Sequence, residues 1–414
     1  MRRLIKIIKR LNSHDLLTTS NVVRALMIII VFAGFGLLFL ARSHAATYSV
    51  PSETESGVVT GNAAATDDPA ASGSRYVKFG ATPVTPPGGA TVKPTIVGHQ
   101  LQKGNTGQQL KMAGVCVWGI EDYITEEVGV EQYANRQKVV DTIKSWGANH
   151  IRLRLLASDY NEEKFMTKAQ YIQQVKDWRD TIEAAGMYMM VTWWDALDGT
   201  YEDAGWADKY SQAFPAMTDV VNALGDDPMV IYEPYNEPNG VSSEQWLPAM
   251  KATINHFRTT LHYTGVLLID MTVWSHHYDD SGMTELETYD ASLAGMNGKN
   301  QLIFAKHDYA NEYPDPNNWT EESWVEGGDG WDFSKHLTWE TEYGNYNGSP
   351  DTVHLSWSQS ASTGLAAKIS DGTIAGATAF VFNWVDANTM VESDNTTTNT
   401  WGGYVKNNLL AGVH

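Results

Sequence analysis

The stretch IYEPYNEPNG, Ile231–Gly240, follows an apolar residue pair and packs two glutamates and two prolines into ten residues. The β-rich run Val230, Ile231 and Tyr232 leads towards Asn236-Glu237-Pro238, so a strand ends on a carboxylate held between an amide and a proline. Pro238 has no N–H and biases Glu237 towards an extended backbone. Working outward, strand-like runs recur: the pattern predicts strands over Met112–Trp118, His150–Leu156, Met187–Trp194, Met229–Tyr235, Gly265–Thr272, Gln301–Tyr309, Leu337–Tyr343 and Ala377–Trp384. Helical periodicity fills the intervals at Gln132–Trp146, Lys168–Ala185, Ala216–Leu224, Glu244–Leu261, Ser356–Ile369 and Gly403–Leu410. Gly147, Gly186 and Gly225 follow three of these runs, where a helix C-cap favours glycine. Eight strand–helix units, with strands apolar enough to be buried on both faces, predict an α/β fold of the (β/α)8 TIM-barrel type. A doubly wound open sheet is the alternative, but no Gly-rich phosphate loop follows the first strand.

The chain of 414 residues is long enough for one large domain or two ordinary ones, and 43% hydrophobic residues supply a core. Residues 1–45 read as a signal peptide or membrane anchor: basic residues precede the apolar run Ala25–Ala41, and small residues follow it. Either outcome puts the remainder outside the cytoplasm, secreted or tethered to the cell surface through residues 25–41. Residues 46–80 form a short β-rich segment, with β-prone runs at Gly57–Thr60 and Arg75–Phe79, that resembles part of a galactose-binding-like carbohydrate module. Residues 81–97 read as a Pro/Gly/Thr linker, and 98–414 as the barrel. A lone cysteine, Cys116, rules out an internal disulfide, so the core alone must hold the fold. Residues 1–45 hold seven of the 29 basic and one of the 49 acidic residues, leaving a net charge of −26 on the rest. That surface disfavours nucleic acid and fits a neutral ligand.

In such a barrel the site lies at the C-terminal strand ends. Strand 2 carries Arg152 and Arg154, strand 4 ends on Asn236 and Glu237, strand 6 on His307 and Tyr309, strand 7 on Glu340 and Glu342, and strand 8 on Trp384. Trp118, Trp193, Trp194 and Trp274 end strands 1, 3 and 5. Two carboxyls converging from different strands suit glycoside hydrolysis, one protonating the leaving oxygen and the other, ionised, attacking the anomeric carbon.

The ordered set resembles glycoside hydrolase family 5, the cellulase-like retaining (β/α)8 enzymes, over roughly residues 98–414. GANHIRLRL resembles its strand-2 motif, YEPYNEP its Asn-Glu-Pro signature, KHDYAN its His-x-Tyr, TEYGNYN its strand-7 Glu-x-Gly and FNWVD its strand-8 tryptophan. The resemblance implies that Glu237 is the acid/base and Glu342 the nucleophile. It also implies that Asn236 holds a sugar 2-hydroxyl, that His307 tunes the acid/base, that Tyr309 steadies the nucleophile, and that Trp384 stacks on a sugar ring. Arg152 beside Glu342 favours an ionised nucleophile. Glu340 shares strand parity with Glu342 and competes for its role by pattern alone; Gly344 favours Glu342. Glu233, Glu340 and Arg154 read as a buried network one layer below the rim. Where family members often have a histidine after strand 3, this chain has Trp193, Trp194 and Asp195, so its sugar wall differs. Trp118, Trp193, Trp194 and Trp274 are further sugar-contact candidates. The tandem His276-His277 lacks a third metal ligand and reads as solvated or sugar-contacting.

The expectation is a monomeric endo-β-glycosidase with no cofactor and no metal, acting on a neutral β-1,4-linked polysaccharide or oligosaccharide, β-glucan ahead of mannan. A β-mannanase, an exo-acting or β-1,3 enzyme, and a carbohydrate-binding surface protein without catalysis are the rival readings.

Overall fold

The structure is a computed structural model that describes residues 63–67, 75–79, 92–118, 120, 136–194, 210–310, 331–345, 352–382, 389–392 and 396–413. The chain divides into two compact units, Met1–Pro83 and Val84–His414. In the first, Ala63–Asp67 and Arg75–Phe79 pair as an antiparallel hairpin. The second of these strands is a predicted β-prone run, whereas Gly57–Thr60, the leader at 1–45 and the apolar run 25–41 lie outside the described residues.

The second unit opens with a short antiparallel hairpin, Pro94–Ile96 with Leu101–Lys103. Its Ile96 donates its N–H to the Gln301 side-chain oxygen at 2.9 Å and accepts from the Gln301 amide at 3.1 Å. Eight parallel strands follow and close on themselves: β1 (Met112–Val117), β2 (His150–Leu155), β3 (Tyr188–Trp193), β4 (Val230–Glu233), β5 (Leu267–Asp270), β6 (Leu302–Tyr309), β7 (Thr338–Gly344) and β8 (Gly376–Ala379). All eight fall within or across the predicted runs. The predicted barrel is therefore observed, and the open-sheet alternative is not. Pairing of β8 with β1, Gly376 with Met112 through Ala379 with Val115, makes the closure.

Helices run outside the strands: α1 (Arg136–Ser145), α2 (Ala157–Glu162), α3 (Lys168–Ala184), α4 (Phe214–Leu224), α5 (Ser243–Asn255), α6 (Asp280–Ser292), α7 (Thr352–Asp371) and α8 (Thr400–Tyr404). Each predicted helix is present, and Gly147, Gly186 and Gly225 all have positive φ as their cap positions require. Of these eight, α2 and α6 are unpredicted; DSGMTELETYDAS in α6 is too polar to show a clear apolar stripe. The helix α3 starts on a capping box in which Thr167 accepts from the Gln170 N–H and the Gln170 side chain accepts from the Thr167 N–H.

Two apolar layers position the site. The outer one lies between strands and helices and includes Leu153, Val191, Tyr232 and Phe304. The inner one plugs the lower barrel with Met112, Met190, Ile231, Leu268, Ile303 and Trp339. Each such side chain contributes about 1.5–3 kcal/mol by its burial. The plug also denies water access from below, so polar groups above it meet solvent only at the rim.

The ladder between β6 and β7 is irregular. Lys306 of β6 pairs with Glu340 of β7, but the next residue, His307, pairs with Glu342, so Thr341 is an extra residue on β7. The pairing of β7 with β8 contains the same one-residue excess between Glu340 and Tyr343. Such a bulge reverses the strand's alternation from that point on. Glu340 and Glu342 therefore do not share a face, contrary to the parity expectation. Glu340 is buried in register with Lys306, whose ammonium bonds Asp308 and lies over Trp331, and Glu342 turns inward beside His307.

Candidate active site

Arg152 organises the centre of the upper barrel. Alternation on β2 points His150, Arg152 and Arg154 inward, and the Arg152 guanidinium is fully buried. Its Nε donates to Glu233 Oε2 at 2.5 Å, its Nη1 to Glu342 Oε1 at 2.5 Å and its Nη2 to Asn236 Oδ1 at 2.6 Å. Arginine suits this task because its rigid fork carries several donors in one plane. Glu233 thus pairs with Arg152, rather than with the Arg154 that the sequence suggests as its partner.

Glu342 is almost fully buried and also accepts from the Tyr309 hydroxyl. Burial pushes its carboxyl above the ordinary glutamate value, and His307, Arg152 and the Tyr309 hydrogen bond pull it down without fully cancelling that effect. An adjacent arginine predicts a readily ionised group. Arg152 lowers the pKa less than the full burial of Glu342 raises it. Burial likewise opposes ionisation of Glu233, yet the Arg152 charge and hydrogen bond outweigh it and hold that carboxyl below its usual range.

Glu237 faces Glu342 across the barrel mouth. One carboxyl oxygen of each, with a ring nitrogen of His307, lie within 4.8 Å of one another. His307 Nδ1 is 2.7 Å from Glu237 Oε1 and 3.9 Å from Glu342 Oε2, and Nε2 is 3.0 Å from the Thr341 hydroxyl. Burial lowers the His307 pKa to about 4, so the ring is neutral at mild pH. A neutral imidazole suits either charge state of Glu237: it donates from Nδ1 to a carboxylate or accepts there from a carboxylic acid. The Thr341 hydroxyl, both donor and acceptor, follows the change at Nε2.

The backbone at Glu237 differs from expectation. Its φ is +50°, left-handed rather than extended. The bias imposed by Pro238 yields to two contacts, the backbone N–H to Asp270 Oδ1 at 3.1 Å and the side chain to His307.

Among the tryptophans, Trp118 and Trp194 lie at the rim, half-buried, with ring centroids 5.6 Å apart. Arg154 lies 4.0 Å from the Trp118 centroid and 4.9 Å from that of Trp194, and Phe380 stacks on Trp194. Trp274, 43% exposed, projects after β5. Trp193 is not a rim residue: it is buried in the outer layer and stacks on Tyr232. Trp384 lies outside the described residues. His276 is buried near His307 rather than solvated.

Sequence reading missed Asp270, Thr341 and Cys116. Cys116 Sγ lies 3.8 Å from Arg152 Nη1, and burial pushes its thiol up to about 12. Asp270 is the lone acid in an apolar run, and its strand parity with Leu268 gains meaning only from the structure, which puts Leu268 in the inner layer. Two triads bring metal-type donors together, Glu233–Asp270–His307 and Glu237–His307–Glu342. In each, the Arg152 guanidinium already sits 2.5 Å from a carboxylate, where a cation would otherwise bind.

Residues 104–375 match the Cellulase (glycosyl hydrolase family 5) profile. The chain belongs to glycosyl hydrolase family 5. Endoglucanase A of Butyrivibrio fibrisolvens is 27% identical over 177 residues, 42% of this chain and 38% of that protein. Endoglucanase MaCel5A of Microbulbifer sp. (strain ALW1) is 36% identical over 104 residues, 25% of this chain and 19% of that one. The matched stretch thus spans well under half the length of these curated relatives. The fold is shared with β-glucanase SdGluc5_26A of Saccharophagus degradans, at TM-score 0.57 and 15% identity, covering 78% of this chain and 94% of that one. It is shared also with β-mannanase of Streptomyces thermolilacinus, at TM-score 0.53 and 16% identity, covering 77% and 94%. Family membership and barrel thus agree with the resemblance carried by the sequence motifs, while relatives of both glucanase and mannanase kind leave this family 5 chain's substrate to its own residues.

Proposed function

We propose that this chain is a retaining endo-β-glycosidase that cleaves a neutral β-1,4-linked polysaccharide, cellulose-like β-glucan ahead of mannan. The observation that carries the reading is the approach of Glu237 and Glu342 carboxyl oxygens to within 4.8 Å. A separation of about 5 Å lets one carboxylate attack the anomeric carbon directly, whereas an inverting pair stands roughly 6.5–9.5 Å apart to admit a water. In the first step Glu342, oriented by Arg152 and Tyr309, attacks while Glu237 delivers its proton to the leaving oxygen. In the second, Glu237 takes a proton from water, which displaces the sugar from Glu342. The neutral His307 ring accommodates both states of Glu237. Asn236, held by Arg152, is oriented for a sugar hydroxyl, and Trp118, Trp194 and Trp274 offer faces for pyranose rings.

Preference for β-glucan is supported by the names of the two curated relatives, both endoglucanases, and by SdGluc5_26A, a β-glucanase solved with cellotetraose. A secreted or surface-tethered location fits the leader-like residues 1–45, and a saccharide is the partner this reading implies.

The test is release of reducing sugar from β-1,4-glucan, mannan, xylan and laminarin by the wild type and by Glu237→Gln and Glu342→Gln. Glu342→Gln should be inactive, and Glu237→Gln should lose about 10²–10⁴-fold on polysaccharide. Wild-type rates in either variant would sink the assignment, and release only from mannan would replace β-glucan as the substrate.

A further inference from the structure

Two stretches of backbone beside the proposed acid/base adopt a conformation that residues other than glycine avoid. Glu237 has φ +50°, and three consecutive residues after β5, Val273, Trp274 and Ser275, have φ +57°, +52° and +64°. For β-branched Val273 this is a genuine outlier. Such strain persists only where the surrounding structure over-determines it.

Both stretches are tied to one atom. Asp270 Oδ1 accepts the Glu237 backbone N–H at 3.1 Å and the Ser275 hydroxyl at 2.8 Å, and His307 Nε2 lies 3.5 Å away. The carboxyl itself is 1% exposed at the end of β5. Its other oxygen, Oδ2, and Glu233 Oε1 are buried and meet no N–H or O–H donor. The two carboxyls are nevertheless neighbours, with donor atoms of Glu233, Asp270 and His307 all within 4.8 Å. A proton on one of these carboxyls, donated to the other, would satisfy two oxygens that otherwise lack a partner.

We infer that Asp270 is a positioning residue: as a neutral carboxylic acid donating to Glu233, it uses Oδ1 to hold the acid/base Glu237 and the Trp274 loop in one arrangement. The inference rests on the glycosidase reading. Electrostatics agree on where the proton resides. Burial and the Glu233 charge hold Asp270 well above the usual aspartate range, while Arg152 keeps Glu233 ionised. Glu233, held in turn by Arg152, links Asp270 to the guanidinium that grips Glu342. The backbone of the proposed proton donor and the loop bearing the exposed Trp274 thereby share one anchor, so the placement of both is set together.

Asn and Ala at position 270 separate this role from a general structural one. In Asp270→Asn the amide oxygen still accepts from Glu237 and Ser275, and the amide N–H donates to Glu233. In Asp270→Ala both functions are lost. The readouts, on the full chain, are kcat/KM for soluble β-1,4-glucan and for 2,4-dinitrophenyl β-cellobioside, whose leaving group departs without protonation. Asp270→Asn should stay within about threefold of wild type on both, whereas Asp270→Ala should lose on the order of 10²-fold on glucan only, as expected for a misplaced proton donor. A loss above tenfold in Asp270→Asn overturns the neutral-acid role, and so does an equal loss on both substrates in Asp270→Ala. Should Asp270→Ala not fold, Ser275→Ala decides: a raised KM for glucan with the aryl glycoside unaffected supports the shared anchor, and an unchanged KM overturns it. A wild-type chain inert on both compounds would overturn the glycosidase reading and this inference with it. Wild-type turnover with Asp270→Ala unimpaired would overturn this inference alone.

Discussion

Glu342 is buried among Arg152, Tyr309 and His307, and its ionisation is set by that burial first. With burial nearly complete, Glu342 keeps a raised pKa, and the Tyr309 hydroxyl is one of the groups restraining it. The nucleophilic role proposed for Glu342 needs the ionised form, so activity should fall as pH drops through this pKa. The acid limb of kcat/KM should therefore lie above that of an ordinary glutamate. Tyr309→Phe removes a donor that favours the charged form, so the limb should move to still higher pH. Losing a hydrogen bond to a charged group costs about 1.5–3 kcal/mol, which corresponds to roughly a 10–150-fold loss in rate. A pH profile of Tyr309→Phe superimposable on wild type would exclude this role. At this scale the motifs were highly legible: Asn236, Glu237, His307, Tyr309 and Glu342 all meet around Arg152 as the family pattern implies. Asp270 was not legible, since nothing local marks one acid in an apolar run.

At the level of elements, the helical turn His256–Thr260 that continues α5 is locked to α6 by a buried ion pair below the site. Arg258 Nε donates to Asp290 Oδ1 at 2.7 Å, and Nη1 donates to the carbonyls of Tyr263 and Gly265. Asp290 Oδ2 accepts the Gln301 N–H at 2.8 Å, at the entry to β6. Both side chains are inaccessible to solvent, so deleting one leaves a buried charge. Asp290→Ala should destabilise the fold by about 3–5 kcal/mol in denaturant titration. A change below 1 kcal/mol would show that water or rearrangement compensates. The bulge in β7 belongs to this scale too. It separates Glu340 from Glu342, and alternation read along one strand cannot find it, because the extra residue is defined only by pairing with β6 and β8.

For the whole molecule, the barrel closes where β8 meets β1, and a glycine makes the seam possible. A Cβ on Gly376 would stand 2.7 Å from both Met112 Cβ and Trp339 Cε2, and 2.8 Å from the Met112 carbonyl oxygen. Backbone on one side and a packed indole on the other leave little room to yield. Gly376→Ala should cost about 1–3 kcal/mol, typical of overpacking. Glucan hydrolysis per folded molecule should be kept, since the site lies at the opposite ends of the strands. Wild-type stability in this variant would mean that the seam opens more easily than its contacts suggest.

The sequence by itself determined the eight-strand alternation, the barrel and the family, because apolar period, helix-capping glycines and the five strand-end motifs are local signals written in neighbouring residues. It also named the carboxyl pair. Only the tertiary structure decided which face Glu340 takes, that Glu233 binds Arg152, that Trp193 packs outward, and that Asp270 ties Glu237 to the Trp274 loop. Each of these depends on register and contact between strands far apart in the chain, and such pairings exist only once the barrel has closed.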